Sequence, residues 1–344
     1  MNRVPNVYPD TDRILLAHGS GGELSHELVT SLFVKTFHNP FLDPLDDGAV
    51  LEVAGERLAF TTDSYVVTPV FFPGGDIGRL AVCGTVNDLS MSGAKPLFLS
   101  AGFIIEEGFP LSSLQTIVTS MQKTAGEAAV KIVTGDTKVV NRGGADGIFI
   151  NTAGIGLIPR GVEISGSLAR PGDRVLLSGS IGDHGVAILS SREGLQFSTT
   201  LQSDCAPLNG LVAAMLEVSK KIRCLRDPTR GGLSSALNEL ARQAGVGIWV
   251  DEDRIPIKEE VQGACELLGF DPLVLANEGK LVAIVAAEAA ELILQQMKAH
   301  PHGRDAALIG EVREEPKGKV ILRTRIGLTR IMDMMVGELL PRIC

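Results

Sequence analysis

The sequence predicts a two-domain protein of mixed α and β structure (α+β), and three observations carry that expectation. The chain has 344 residues, and domains run to roughly 100–200 residues each. Both halves alternate short apolar runs with stretches of helical periodicity. Between the halves, residues 159–172 break into Pro, Gly and Ser, and a fresh buried run, Arg174-Val175-Leu176-Leu177, follows. The expected division is therefore 1–160, 170–328 and a flexible tail over 329–344.

The elements follow in order. After the glycine turn His18-Gly19-Ser20-Gly21-Gly22, Leu24, Leu28, Leu32 and Phe33 recur at helical spacing, so a helix is expected over 23–37. Residues 49–53 and 57–61 flank Ala54-Gly55-Glu56 and read as a hairpin that delivers Thr62, Asp63 and Ser64 at its end. Helices are expected over 77–90 and 111–128, and strands over 97–105, 130–134 and 147–158. The second half reads as strand 174–178, helices near 184–193, 208–219 and 232–243, strands 246–250 and 280–285, helix 287–298 and short strands near 306–312 and 319–322. In the tail, Met332, Met335, Val336, Leu339 and Leu340 keep helix-like spacing until Pro341 stops it, leaving Arg342-Ile343-Cys344 as a short tip.

Charge and composition narrow the function. With 32 basic and 41 acidic residues the net charge is −9, and no basic cluster stands out, which argues against nucleic acid or an anionic membrane as the main partner. No apolar run reaches the roughly 18 residues of a bilayer span, and the N-terminus lacks a signal-peptide core, so a cytoplasmic protein is expected. The five cysteines form no CxxC pair, which disfavours a disulfide framework and a zinc site alike. Glycine, at 39 residues, concentrates in loops beside Asp, Ser and Thr, a pattern suited to holding phosphate.

Four acidic segments carry the chemistry: Asp46-Asp47-Gly48, Thr61-Thr62-Asp63-Ser64, Asn87-Asp88 and Thr134-Gly135-Asp136-Thr137-Lys138. Mg²⁺ takes oxygen ligands and joins nucleotide phosphates to one or a few carboxylates. Lys138 adds a positive point charge two residues from Asp136. Each segment alone is an ordinary turn signal, and neither a P-loop nor a dinucleotide fingerprint is present; the nucleotide reading rests on the set. Arg226-Asp227-Pro228-Thr229-Arg230-Gly231-Gly232 precedes a helix, where it serves equally as a helix start or as an anion cradle in which Arg230 grips phosphate oxygens. Asn277-Glu278-Gly279-Lys280 precedes a strand and reads either as a plain turn or as the seat of a base. Lone histidines such as His18 and His184 are more often structural than catalytic. The terminal Cys344 is either a chance residue or a thiol presented on a mobile tip.

The segments LAHGSGG (16–22), DDGAV (46–50), TTDS (61–64), GTVNDLSMSGAKP (84–96), TGDTKVV (134–140), SGSIGDHG (178–185), DPTRGG (227–232), ANEGK (276–280) and PRIC (341–344) resemble the HypE family of hydrogenase maturation proteins over nearly the whole chain. That family sits in the superfamily of aminoimidazole ribonucleotide synthetase, selenophosphate synthetase and thiamine-monophosphate kinase. The acidic segments identify the superfamily; SGSIGDHG and PRIC identify the family. The resemblance implies two domains of the synthetase type, each a mixed sheet covered by helices, and a homodimer paired through first domains.

It also implies a reaction. A carbamoyl group from the carbamoyltransferase HypF is placed on the terminal cysteine, ATP drives its dehydration to a thiocyanate, and the cyanide passes to iron on the HypC–HypD complex. Carried over, Cys344 is the modified residue, Asp47, Asp63, Asp88 and Asp136 are Mg–ATP residues with Asn87 in support, and Lys138 contacts phosphate. Glu278 is the first choice for the base and His184 the second. The competing readings are another ATP-dependent member of the superfamily, of the selenophosphate synthetase or thiamine-monophosphate kinase type, and a non-enzymatic cysteine carrier. A selenophosphate synthetase would carry a reactive Cys near its N-terminus, whereas the first cysteine here is Cys83.

Overall fold

The computed structural model describes residues 13–192, 200–334 and 342–344. α1 (Glu23–Leu28) continues through a π-helical stretch (Val29–Val34) into α2 (Lys35–Phe37), so the expected helix over 23–37 forms with a widened middle. β1 (Ala49–Val53) and β2 (Glu56–Tyr65) make the hairpin, and β2 runs far enough to include Asp63. The two-residue strands β3 (Phe71–Phe72) and β4 (Gly75–Asp76) lead into α3 (Ile77–Met91). Asp76 starts α3: its Oδ1 accepts the Gly78 and Arg79 N–H groups at 2.7 and 3.1 Å, a cap worth about 1 kcal/mol.

β5 (Lys95–Glu106), α4 (Leu111–Glu127), β6 (Lys131–Val140) and β7 (Ile148–Leu157) complete the first unit. Its sheet has the order β1-β2-β7-β5-β6. Only β5 and β6 are parallel, as the α4 crossover between them requires. α3 and α4 pack on one face. The other face is open and carries exposed Phe60, Phe98, Ile104 and Ile155.

The second unit contains β8 (Arg174–Leu177), α5 (Asp183–Ser190), α6 (Asn209–Val218), β9 (Ile222–Arg226), α7 (Gly232–Ala244), β10 (Gly247–Asp251), α8 (Glu259–Leu268), β11 (Val282–Val285), α9 (Ala290–Ala299), β12 (Ala307–Arg313), β13 (Lys319–Arg323) and β14 (Thr329–Ile331). Its seven strands run β14-β13-β10-β12-β8-β11-β9. β9 and α8 go beyond the sequence reading. β14 replaces the start of the expected tail helix, because residues 329–331 pair with β13 and cross-strand bonding overrides local spacing. Residues 332–334 are not helical either, and 335–341 lie outside the described residues.

α3 joins the two units. Nearly all of it is buried, since it packs on β2 and β7 and also against α6 and β9. Leu80 and Val86 of α3 share one continuous apolar cluster with Leu208, Leu211 and Met215, each such side chain contributing roughly 1.5–3 kcal/mol when fully buried. A second cluster sets Leu233, Leu237 and Leu240 of α7 against Ile248, Val250 and Val320. The cleft between the units is thereby held by core packing on both sides.

Candidate active site

The cleft is lined from four directions. Asp47 comes from the loop before β1, Asp63 from β2, Asp88 from the last turn of α3, Asp227 and Arg230 from the loop after β9, and Glu278 from the loop before β11; Cys344 closes it. The enclosed space is about 230 Å³. Gly21 of the N-terminal turn packs so closely on the β9–α7 loop that a Cβ there would lie 2.8 Å from the Arg230 carbonyl, and its φ of +75° is itself left-handed. The Arg230 guanidinium donates to the Gly19 carbonyl at 3.1 Å. A glycine is needed for this contact, which brings the turn over the cleft.

The carboxyl groups are fixed by neighbours. The Thr61 hydroxyl lies 2.9 Å from Asp88 Oδ2, and the Tyr65 hydroxyl donates to Asp63 Oδ2 at 3.2 Å. Arg226, buried, pairs with Asp47 at 3.5 Å and closely with Glu239. The Glu278 backbone N–H donates to Asp204 Oδ1 at 3.0 Å, and Lys280 pairs with Asp204 at 3.2 Å. Glu278 Oε1 is buried and has no hydrogen-bond partner.

Burial dominates the electrostatics. It pushes Asp47 up to about 6 against the pull of Arg226, and it raises Asp63 against Arg230 and the Tyr65 hydroxyl. Asp88 and Asp227 rise well above the usual carboxyl range, first through burial and then through the charge of the other carboxylates. Glu278 does the same, with Asp227, Asp204 and Asp63 adding to burial and Arg230 opposing it. Burial pushes the Cys344 thiol up to about 12, although Arg230 lowers it. Among the described residues no three potential ligands converge closely enough to chelate a metal as they stand. The carboxylates nonetheless form a mutually repelling, oxygen-rich set, which is the donor chemistry a hard divalent cation takes.

Cys344 is not on a free arm. Cys344 O accepts from Val66 N–H at 3.2 Å, Arg342 O accepts from Thr68 N–H at 3.1 Å, and Arg342 Nε donates to Val66 O at 3.0 Å. The tip thus lies along residues 66–68 and inserts its thiol into the cleft.

Several expected site residues are placed otherwise. Asp136 and Lys138 do not line the cleft; they pair with each other at 2.7 Å on exposed edge strand β6. Through the register Ser64–Asn151–Gly102–Asp136 they stand three strands from β2, about 14 Å away at ~4.8 Å per strand, and face the open side of the sheet. Their local sequence, rich in turn formers, reads as a loop, but β6 continues through it. Asn87 turns away from the cleft and clamps the two units: its Nδ2 donates to Ala206 O and Glu278 O at 3.2 and 3.4 Å, and its Oδ1 accepts from Leu208 N–H at 2.8 Å. His184 is fully buried, with both ring nitrogens engaged by Ser203 and Ile343. Glu278, Cys344, Arg230, Asp47, Asp63 and Asp88 do meet at the cleft.

Asp227 is the residue the sequence reading passed over. β9, with Arg223 and Arg226 in five residues, lacks an apolar strand signature in the sequence. Arg226 is buried between Asp47 and Glu239, and β9 pairs with β11, which sets Asp227 at the strand's end.

Two mixed-sheet domains with an acidic cleft between them define a class, that of the AIR synthase-related proteins. The family described as "AIR synthase related protein, N-terminal domain" matches residues 45–158, and its C-terminal domain matches residues 170–323. The carbamoyl dehydratase HypE of Azotobacter vinelandii is 56% identical over 329 residues, covering 96% of this chain and 96% of that protein. A HypE crystal structure in complex with ATP is 52% identical with a TM-score of 0.81, covering 96% of this chain and 100% of the other. A HypE–HypF complex gives 52% identity and a TM-score of 0.86 over 90% and 99% of the two chains. Within that class, the chain belongs to the HypE family of carbamoyl dehydratases.

Proposed function

We propose that the protein dehydrates a carboxamide carried on its own terminal thiol, using ATP, and that the product is the thiocyanate of Cys344. The observation that carries this is the docked tip: Cys344 lies in the same cleft as the acidic set, beside a buried Glu278 oxygen that has no partner. The amide oxygen of an S-carboxamide is a poor leaving group. Transfer of the γ-phosphoryl group to that oxygen, with one N–H proton released, gives an iminyl phosphate and ADP; loss of phosphate, with removal of the remaining N–H proton, leaves a carbon–nitrogen triple bond. ATP and the protein-bound carboxamide thus yield ADP, hydrogen phosphate, a proton and the protein-bound thiocyanate, so atoms and charge balance.

Glu278 takes that proton. Its raised pKa makes its ionised form a stronger base than an exposed carboxylate. Arg230, adjacent to Cys344, Asp63 and Glu278, holds positive charge against the transferred phosphoryl group. Asp47, Asp63, Asp88 and Asp227 would hold Mg²⁺, which when bound offsets charge on the phosphates. Docking of the tip keeps the reactive carbon away from bulk water. The work divides as residues 1–160 for nucleotide and dimer contacts, 170–328 for the base and tail dock, and 329–344 for the carrier.

The partners are those the family resemblance implies, and a HypE–HypF complex among the similar structures supports the first. HypF loads Cys344, and the HypC–HypD complex takes the cyanide for the iron of a [NiFe] hydrogenase; both steps take place in the cytoplasm. A homodimer uses the open face of the first sheet, whose Phe60, Phe98, Ile104 and Ile155 are exposed among the described residues. Asp136 and Lys138, on that face and remote from their own cleft, then serve the site of the second copy. The direct test is ATP hydrolysis by protein carbamoylated at Cys344. Hydrolysis that depends on the carbamoyl group is expected, and a protein that carries the group without hydrolysing ATP would be a carrier instead.

A further inference from the structure

His184 belongs to none of the roles above, yet it is wholly buried and contacts the backbone beside Cys344. It lies in α5, with Nε2 2.8 Å from the carbonyl oxygen of Ile343 and Nδ1 2.8 Å from Ser203 Oγ. A carbonyl can only accept, so Nε2 must carry the proton. In the neutral ring Nδ1 is then the acceptor, and the Ser203 hydroxyl donates to it. Ser203 Oγ in turn accepts the Cys205 backbone N–H at 3.1 Å. The tautomer is fixed by the protein and the free end of the chain is what it reads.

We infer that His184 is a positioning residue for the dehydration: its Nε2–H latches the Ile343 carbonyl and so holds the thiol of Cys344 in the cleft. The other contacts of the tip go to Val66, Thr68, Asp146 and Phe149, and to Arg192 just past the end of α5. Among the described residues, His184 is the side chain within α5 that hydrogen-bonds the Ile343 backbone. Because both of its nitrogens are engaged, it has no role as the base. The ring also meets Phe72 edge-on at 5.5 Å, so it cannot swing away from the tail without leaving its pocket.

This inference rests on the proposed reaction for its purpose but not for its test. The test is the rate at which an uncharged thiol reagent alkylates Cys344 in the full-length protein, read by mass without ATP or carbamoyl donor. The other four cysteines are buried and act as internal controls for folding. Gln at 184 can place an amide N–H near the position of Nε2, whereas Leu places none. His184→Leu is expected to speed alkylation of Cys344 by about tenfold, the scale of one lost hydrogen bond with a buried carbonyl left unpaired. His184→Gln is expected to stay within a few-fold of the parent, and to retain thiocyanate formation that His184→Leu loses in kcat.

Unchanged alkylation in the Leu variant, with the control cysteines still protected, would overturn the latch. So would a Gln variant as reactive as Leu. If all five cysteines react faster in the Leu variant, the comparison passes to His184→Phe, a ring of similar size with no N–H; faster alkylation of Cys344 with the control cysteines protected is expected there, and parental Cys344 reactivity would also count against the latch. Failure of the parent protein to form thiocyanate would refute the proposed reaction and leave the alkylation result standing.

Discussion

Glu278 is basic because of where it sits, not because of what it is. An exposed carboxylate is a weak base near neutral pH, whereas burial and the charges of Asp227, Asp204 and Asp63 raise this one. Dehydration should therefore rise with pH as Glu278 ionises and fall as pH drops through its raised pKa. Glu278→Gln should bind ATP and accept the carbamoyl group yet lose roughly 10²–10⁴ in the single-turnover rate of thiocyanate formation, together with that pH dependence. Normal formation by this variant would remove Glu278 from the proton transfer. Asp88 makes a different prediction. A raised carboxyl pKa stabilises the fold fully below the ordinary value near 4 and loses that stabilisation as pH rises through the raised one. In metal-free protein, Asp88→Asn should then raise the melting temperature at pH 7.5 by ~2–4 °C, while nucleotide affinity at fixed Mg²⁺ falls. A thermal melt beside an ATP titration reads both, and unchanged affinity would take Asp88 out of the site.

At the level of elements, the sequence was legible wherever apolar periodicity was strong. α3, α4, β5, β7 and α7 fall within a few residues of where their spacing puts them. β9 was hidden by its two arginines, and β14 by the helix-like spacing of the apolar residues that follow it, until β13 supplies a strand to pair with. The acidic motifs were legible as a set, but the fold sorts them: Asp47, Asp63 and Asp88 converge, while Asp136 and Lys138 are carried off by an edge strand. That sorting is the basis for a test of the dimer. If Lys138 acts in the partner's cleft, mixing Lys138→Ala subunits with Glu278→Gln subunits should restore activity from two inactive proteins. Random pairing puts half the molecules in mixed dimers with one intact site each, about a quarter of parental activity. No recovery in exchanged mixtures would place Lys138's action within its own chain or outside catalysis.

Across the whole molecule, the terminal residue returns through more than two hundred positions to lie on residues 66–68 and in a cleft that both units build. The sequence announced a terminal thiol but not its destination, because docking depends on a surface assembled from β2, α3, α5 and the β9–α7 loop. The shared core through α3 makes that surface rigid, and Asn87 ties the Glu278 loop to it, so the carrier comes to a preformed site. Cys344→Ala should accordingly leave the fold and ATP binding intact, checked by melting and titration, while ending product formation. In the proposed reaction one chain both carries the carboxamide and dehydrates it. The intact mass of carbamoylated protein before and after ATP measures this directly. An ATP-dependent loss of the mass of one water is expected, confined to Cys344 and absent without nucleotide; a carbamoylated protein whose mass stays unchanged while ATP is present and bound would show that this chain does not dehydrate its own carboxamide.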